Sequence, residues 1–176
     1  DHTGGLPDFP HAQVQVSVKA FETAMDPKGP LSRFYEPAHW RHGPDWQLHD
    51  WRAPLDGFGF ESVRIQAGLR LEVRLVGLPG HTRGHCGIAI RTGDGWLLHA
   101  GDATYPFYQD SAPRPPYRPL PAWVHRPPRW LERLLLGNQT PRLRALLEDH
   151  GDAVQIICSN DVVTFSRVVN ESANRR

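Results

Sequence analysis

This chain has few lysines, no long apolar run and no visible signal peptide, and the last two absences bear on where the protein can be located. Only Lys19 and Lys28 are lysines among 176 residues, so arginine carries nearly all of the positive charge. No run of apolar residues approaches the ~20 that a membrane-spanning helix needs, and no signal peptide is visible. We therefore expect no association with a membrane, and we leave the localisation open, with the cytoplasm favoured.

Charge and cysteine usage argue against two further kinds of function. The formal net charge is +1, whereas binding to duplex DNA usually requires a clustered basic face. Cys86 and Cys158 each lie in a short apolar run, which is typical of a small buried thiol rather than of a disulfide or a reactive nucleophile. What remains is a turn-rich chain with 17 prolines and 16 glycines, long enough for a single domain over residues 1–176.

The hydrophobic pattern predicts a mixed α/β (α+β) fold in which helices pack on a sheet. Short or alternating apolar runs predict strands at residues 14–18, 60–65, 71–75, 88–90, 96–98 and 154–158. Residues 92–95 read Thr-Gly-Asp-Gly and predict a hairpin turn between two of these strands. Helices are predicted over residues 19–25, 129–136 and 162–169. A further helix is predicted to begin with Thr140 as its cap and Pro141 at its first position, and to end at Gly151.

Two segments depart from this pattern of strands and helices. Residues 30–59 interleave aromatic residues with histidines, and residues 104–128 combine prolines with aromatic residues. We predict both as irregular aromatic loops that lie over the functional site. The histidines of the first segment, His39, His42 and His49, are predicted to be solvated or structural rather than metal ligands.

Histidines and aspartates beside glycines form the most specific pattern in the chain. Residues 79–85 read Pro-Gly-His-Thr-Arg-Gly-His, Gly101-Asp102 ends a later apolar run, and the chain opens with Asp1-His2-Thr3-Gly4-Gly5. Tight turns at strand ends allow such side chains to converge, and imidazole and carboxylate groups are donors that a zinc-type ion accepts. The pattern therefore predicts a metal-dependent hydrolase.

The order of these motifs resembles the metallo-β-lactamase superfamily over essentially the whole chain. The resemblance implies an αββα sandwich that binds one or two metal ions, usually zinc, with other divalent metals as alternatives. In that family the first motif reads His-x-His-x-Asp-His, and its first two histidines would precede Asp1. The sequence is therefore interpreted as the C-terminal two-thirds of such a domain, lacking its N-terminal strands.

The resemblance also implies a role for individual residues. Asp1 and His2 resemble ligands of the second metal, His81 resembles a ligand of the first, and Asp102 resembles the carboxylate that bridges both. Asn160 stands where the family usually has its last histidine ligand, and its neighbour Asp161 is an alternative oxygen donor. Since a zinc site normally has at least three protein ligands, we expect this chain to bind at most one metal, weakly, at the second site.

The function implied for the full-length protein is the hydrolysis of a lactone, ester or related acyl bond of a small molecule by a metal-activated hydroxide, and the fragment by itself is expected to be inactive or weakly active. Asp1 is assigned to catalysis together with Tyr105, whose phenol assists the substrate carbonyl in lactonase-like members; packing within the aromatic loop is the alternative for Tyr105. His85 is interpreted as a support for the site or for its own turn.

Two other functions stay open at this point. One is a non-catalytic domain whose metal site is degraded at Asn160. The other is a nucleic-acid-processing member, which the balanced charge disfavours. The oligomeric state is not predicted.

Overall fold

The computed structural model describes most of the chain outside the segment that follows residue 104. The described residues are 2–29, 32–50, 53–54, 58–65, 68, 70–93, 95–104, 139–159, 161, 165–166 and 170. Predictions for Asp1, Tyr105 and Asn160, for most of the loop at 104–128 and for the helix at 129–136 lie outside these residues.

Eight strands and two α-helices are found among the described residues, which confirms a mixed α+β fold. The strands are β1 (Gln13–Ser17), β2 (Asp45–His49), β3 (Ala53–Pro54), β4 (Glu61–Arg64), β5 (Val73–Gly77), β6 (Cys86–Arg91), β7 (Trp96–His99) and β8 (Val154–Ile157). The helices are α1 (Val18–Met25) and α2 (Gln139–His150), and short 3-10 helices occupy Leu6–Asp8, Ser32–Phe34 and Pro37–Trp40.

The larger sheet has six strands in the order β3-β4-β5-β6-β7-β8. Strands β3 to β7 are antiparallel to their neighbours, whereas β8 is parallel to β7. Because β5 and β7 both run antiparallel to β6, they point the same way, and β8 points with them. The loops that follow β5, β7 and β8 therefore emerge at one end of the sheet, here called the site end, which is also where β6 begins.

Helix α2 lies in the connection between β7 and β8, as a parallel pair of strands requires a crossover. Its Leu143 and Leu146 are buried against the sheet, with Leu98 and Ile156 in the same apolar cluster. These two leucines form the buried side of the helix, which ends before Gly151 as expected. The helix begins at Gln139, so the predicted cap Thr140 lies inside its first turn.

The smaller sheet corrects one sequence-based prediction. Strand β2 pairs in parallel with β1, with Gln13 opposite Asp45 and Ser17 opposite His49. The sequence analysis predicts an irregular loop over residues 30–59, although Trp46 and Leu48 alternate with polar residues in the run 45–49, which is a strand pattern. The backbone ladder with β1 stabilises the extended conformation that this alternation indicates.

Other strand predictions are close to the structure. The hairpin at residues 92–95 is confirmed by the antiparallel pairing of β6 with β7. The strand expected at residues 71–75 is shifted toward its C-terminal end, since β5 covers Val73–Gly77 and Leu71 is 59% exposed.

Candidate metal centre

Two loops at the site end of the sheet carry the predicted metal ligands. We call residues 78–85, between β5 and β6, the His81 loop, and residues 100–104, after β7, the Asp102 turn. Asp102 is flanked by Ala100 and Ala103, both of which are fully buried. The turn is therefore packed into the core, while the Asp102 side chain keeps 13% of its surface exposed.

The structure brings His2, His81 and Asp102 together around one carboxylate oxygen. His2 Nε2 lies 2.8 Å from Asp102 Oδ2, and His81 Nε2 lies 3.7 Å from the same atom. The His2 side chain is 60% exposed and that of His81 is 30% exposed, so the group is open to solvent on the side of His2. The structure thus brings together three residues that are distant in the sequence.

The ring of His85 joins the two loops. The Asp102 backbone N–H donates a hydrogen bond to His85 Nε2 at 3.1 Å, so this nitrogen has no proton. In the neutral ring the proton is therefore on Nδ1, which donates to the Leu78 carbonyl oxygen at 3.0 Å. With both nitrogens engaged in this way, the His85 ring connects the His81 loop to the Asp102 turn.

Glycine is required at position 101 because of this ring. The backbone of Gly101 has φ +56°, a left-handed conformation that other residues rarely adopt. A Cβ atom at this position would lie 2.8 Å from His85 Nε2. The turn can therefore pass beneath the imidazole only when residue 101 has no side chain.

Helix α2 and the start of α1 anchor the two loops from outside the sheet. Gln139 is buried, and its Nε2 donates to the Pro79 carbonyl oxygen at 2.8 Å. Next to it in the helix, the hydroxyl of Thr140 lies 2.6 Å from that of Thr104 in the Asp102 turn. The first turn of one helix is thus bonded to both loops.

Ser17 provides a further anchor for the His81 loop. Its hydroxyl donates to the Gly84 carbonyl oxygen at 2.8 Å and accepts from the Ala20 backbone N–H at 3.0 Å, which caps α1. Sequence reasoning missed Ser17 and Gln139. A serine before a helix indicates a cap, but no local pattern identifies a partner in a distant loop.

Burial favours the neutral form of His81 and of His85. It lowers the pKa of His81 below its usual value, while the charge of Asp102 opposes the shift. Burial also lowers the pKa of His85, against the effect of its bond to Leu78. The neutral imidazole is the form that binds metals, so His81 can act as a nitrogen donor at neutral pH.

Asp161, the alternative donor, follows β8 at the same end of the sheet and is 2% exposed. Burial, followed by the charges of Asp161 and Asp102, raises the pKa of the Cys158 thiol to about 12. Cys86 and Cys158 are both free thiols, as the sequence predicted.

The histidines of segment 30–59 make contacts of the structural kind predicted for them. His39 Nδ1 lies 3.1 Å from the Thr3 hydroxyl, and His49 Nε2 lies 2.6 Å from Gln15 Oε1 across the small sheet.

Within the ranges that the structure covers, no helix is long and apolar enough to cross a membrane.

The donor set fits a divalent transition metal in chemistry but is incomplete in number. Two imidazoles and a carboxylate are suitable ligands for zinc and similar ions. Taken alone, however, the described part of the chain has no group of three His, Cys, Asp or Glu side chains arranged to hold an ion. Metal binding by His2, His81 and Asp102 therefore stays a prediction, as do the roles of Asp1 and Asn160.

Comparison with known proteins relates the chain to named enzymes. Two proteins, each named "Probable metallo-hydrolase", from Mycobacterium bovis and Mycobacterium tuberculosis, are 37% identical to it over 111 residues. This chain is related to probable metallo-hydrolases. The aligned region is 60% of this chain and 34% of each relative, so the chain spans about a third of the length of the curated relatives it matches. This relationship confirms the metallo-hydrolase resemblance drawn from the motifs.

A solved structure has a similar fold. The structure comes from work described as "Indirect contributions of mutations underlie optimization of new enzyme function". It matches with a TM-score of 0.59 and 18% sequence identity, and the match covers 95% of this chain and 53% of that chain. No protein-family model matches the chain.

Proposed function

We propose that the protein containing these residues is a metal-dependent hydrolase that opens a lactone, ester or related acyl bond of a small molecule. The observation that carries the proposal is the convergence of the His2 and His81 rings on the Asp102 carboxylate. The relationship to probable metallo-hydrolases supports the same reaction class. The acyl substrate rests on the family resemblance and on Tyr105 following the Asp102 turn.

His2, His81 and Asp102 each have a defined part in this proposal. His2 and His81 would supply imidazole nitrogen donors, and Asp102 would supply a carboxylate whose two oxygens can each accept a bond. A bound divalent metal supplies Lewis-acid activation of water and of the substrate carbonyl. The burial of Ala100 and Ala103 on either side of Asp102 would hold the backbone of this turn in place.

The test combines metal binding with hydrolysis, both measured on the purified full-length protein that contains these residues. Zinc titration by calorimetry gives the stoichiometry, and a panel of a lactone, an aryl ester and a phosphodiester gives the reaction class. Asp102→Asn keeps the shape of the side chain and removes its charge. Asp26→Asn is the matched control, because Asp26 is exposed and paired with Lys28 away from the site.

We expect acyl hydrolysis that a chelator abolishes and that Asp102→Asn loses, while Asp26→Asn retains it. For the 176-residue chain by itself we expect at most one weakly bound zinc, and two tight ions would contradict this. Zinc binding unchanged in Asp102→Asn would overturn the assignment of the centre.

The non-catalytic alternative makes a different prediction. It is favoured by the lack of a three-residue ligand group among the residues that the structure describes. In that case the protein hydrolyses nothing in the panel unless Asn160→His restores a ligand. Hydrolysis by the unsubstituted protein rules this alternative out.

A further inference from the structure

We propose that His85 is a positioning residue that fixes the backbone of Asp102 to the His81 loop, and so sets the spacing of the two predicted metal ligands. This inference rests on the proposed function for its consequence, although the hydrogen bonds that carry it are independent of any metal. The sequence left open whether His85 supports the site or only its own turn, and the hydrogen bond to the Asp102 amide favours the site.

The argument begins with the two hydrogen bonds of the ring. One nitrogen bonds to Leu78, which opens the His81 loop, and the other bonds to the amide of Asp102. The ring thus connects the beginning of one ligand-bearing loop to the ligand residue of the other. His81 lies within the segment that His85 closes, since residues 78 and 85 also share a backbone hydrogen bond of 3.0 Å.

Contacts around the ring hold it in this position. The His81 and His85 rings pack edge to face with centroids 5.8 Å apart. Gly101 leaves the space that His85 Nε2 occupies, because a Cβ there would approach this atom to 2.8 Å. A shift of the imidazole is therefore opposed by the His81 ring and by the Gly101 backbone, and Asp102 is constrained with it.

The two hydrogen bonds can be separated by side-chain substitution. In His85→Gln, the carbonyl oxygen of the amide reaches the position of Nε2 and can accept from Asp102. In His85→Asn, the shorter amide reaches the position of Nδ1 and can donate only to Leu78. His85→Ala removes both hydrogen bonds, and His49→Ala removes a comparable ring hydrogen bond on the small sheet.

The first measurement is amide hydrogen exchange in the metal-free chain. We expect the Asp102 amide to exchange faster in His85→Ala and His85→Asn, and to regain protection in His85→Gln. His49→Ala is expected to leave it unchanged. Protection that persists in His85→Ala overturns the inference, whether or not the protein binds a metal.

The second measurement is zinc affinity by competition with a chromophoric chelator. Residues that orient metal ligands typically change affinity by about 10- to 100-fold when removed, and we expect a loss in this range for His85→Ala. His85→Gln should recover more of the affinity than His85→Asn. The reverse order, or no loss, contradicts a role through Asp102. If the full-length protein that contains these residues binds no zinc while the exchange results hold, the proposed function fails and the positioning role stands.

Gly101→Ala provides an independent test through the backbone. It should raise the exchange rate of the Asp102 amide as His85→Ala does, because the added methyl group displaces the ring. Gly43→Ala is the matched control, since Gly43 also has a positive φ, of +71°, but has nothing within 4 Å of an added Cβ. Equal exchange at Asp102 in the two variants would contradict the proposed contact.

Discussion

Gly84 offers the sharpest test of how the His81 loop packs against helix α1. A Cβ built on Gly84 would lie 2.0 Å from the Ala20 nitrogen, 2.4 Å from its Cα and 2.6 Å from its Cβ. These are mainly backbone atoms at the start of a helix, so no side-chain rotation can relieve the overlap. In Gly84→Ala the loop and the helix must therefore move apart.

The expected cost has two parts. Forcing an extra methyl group into a packed interior costs about 1–3 kcal/mol. Separation of the loop from the helix also weakens the bond from Ser17 to the Gly84 carbonyl, which is worth about 0.5–1.5 kcal/mol. Together they predict that Gly84→Ala lowers the free energy of unfolding by about 1.5–4.5 kcal/mol.

Urea unfolding followed by circular dichroism measures this difference directly. Thermal unfolding should show a lower midpoint, by roughly 2–4 °C for each kcal/mol. Gly93→Ala is the control, because nothing lies within 4 Å of a Cβ at that position and its φ is not in the left-handed range. If the two variants unfold with free energies within ~0.5 kcal/mol of each other, the close approach of the loop to α1 is wrong.

Three further predictions concern Ser17 and the thiols. Ser17→Ala should cost about 1–3 kcal/mol in urea unfolding, as a helix cap and a buried hydrogen bond are lost together, whereas Thr23→Ala should be nearly neutral. Burial raises the pKa of Cys86 to about 11 and of Cys158 to about 12, so at pH 8 Ellman's reagent should label them slowly in the native chain and rapidly in urea. Fast native labelling would show that they are accessible. Folding raises these pKa values above the ordinary value of 9.0, so both thiols contribute fully to the free energy of unfolding below pH 9. This contribution is lost as the pH rises toward 11, because the unfolded chain loses the thiol protons first. A free energy of unfolding that stays constant over this interval would contradict the burial of the thiols.

The motifs predicted the candidate site residues because only a few residue types can act as metal ligands. The sequence around His81 and Asp102 indicated strand-end turns, and antiparallel pairing of β5 and β7 with the intervening β6 brings those turns to one end of the sheet. The hairpin between β6 and β7 was readable for a similar reason, because its glycine-rich turn and apolar flanks are local signals.

Contacts between distant segments could not be read in the same way. Strand β2 carries a short local alternation at Trp46 and Leu48, but nothing in this run identifies β1 as the strand with which it pairs. The partner of Gln139 is a carbonyl in the His81 loop, and every residue has a carbonyl, so the amino-acid type at that position carries no signal.

The sequence by itself determined which side chains can take part in metal chemistry, since only their atoms have suitable lone pairs and charges. Tertiary structure decided how they are held. Whether His85, the second histidine of the motif, binds a metal ion or hydrogen-bonds to backbone groups depends on what lies beside each ring nitrogen. In this structure those neighbours are the Leu78 carbonyl and the Asp102 amide. Such a choice follows from packing between separate loops, which no single stretch of sequence specifies.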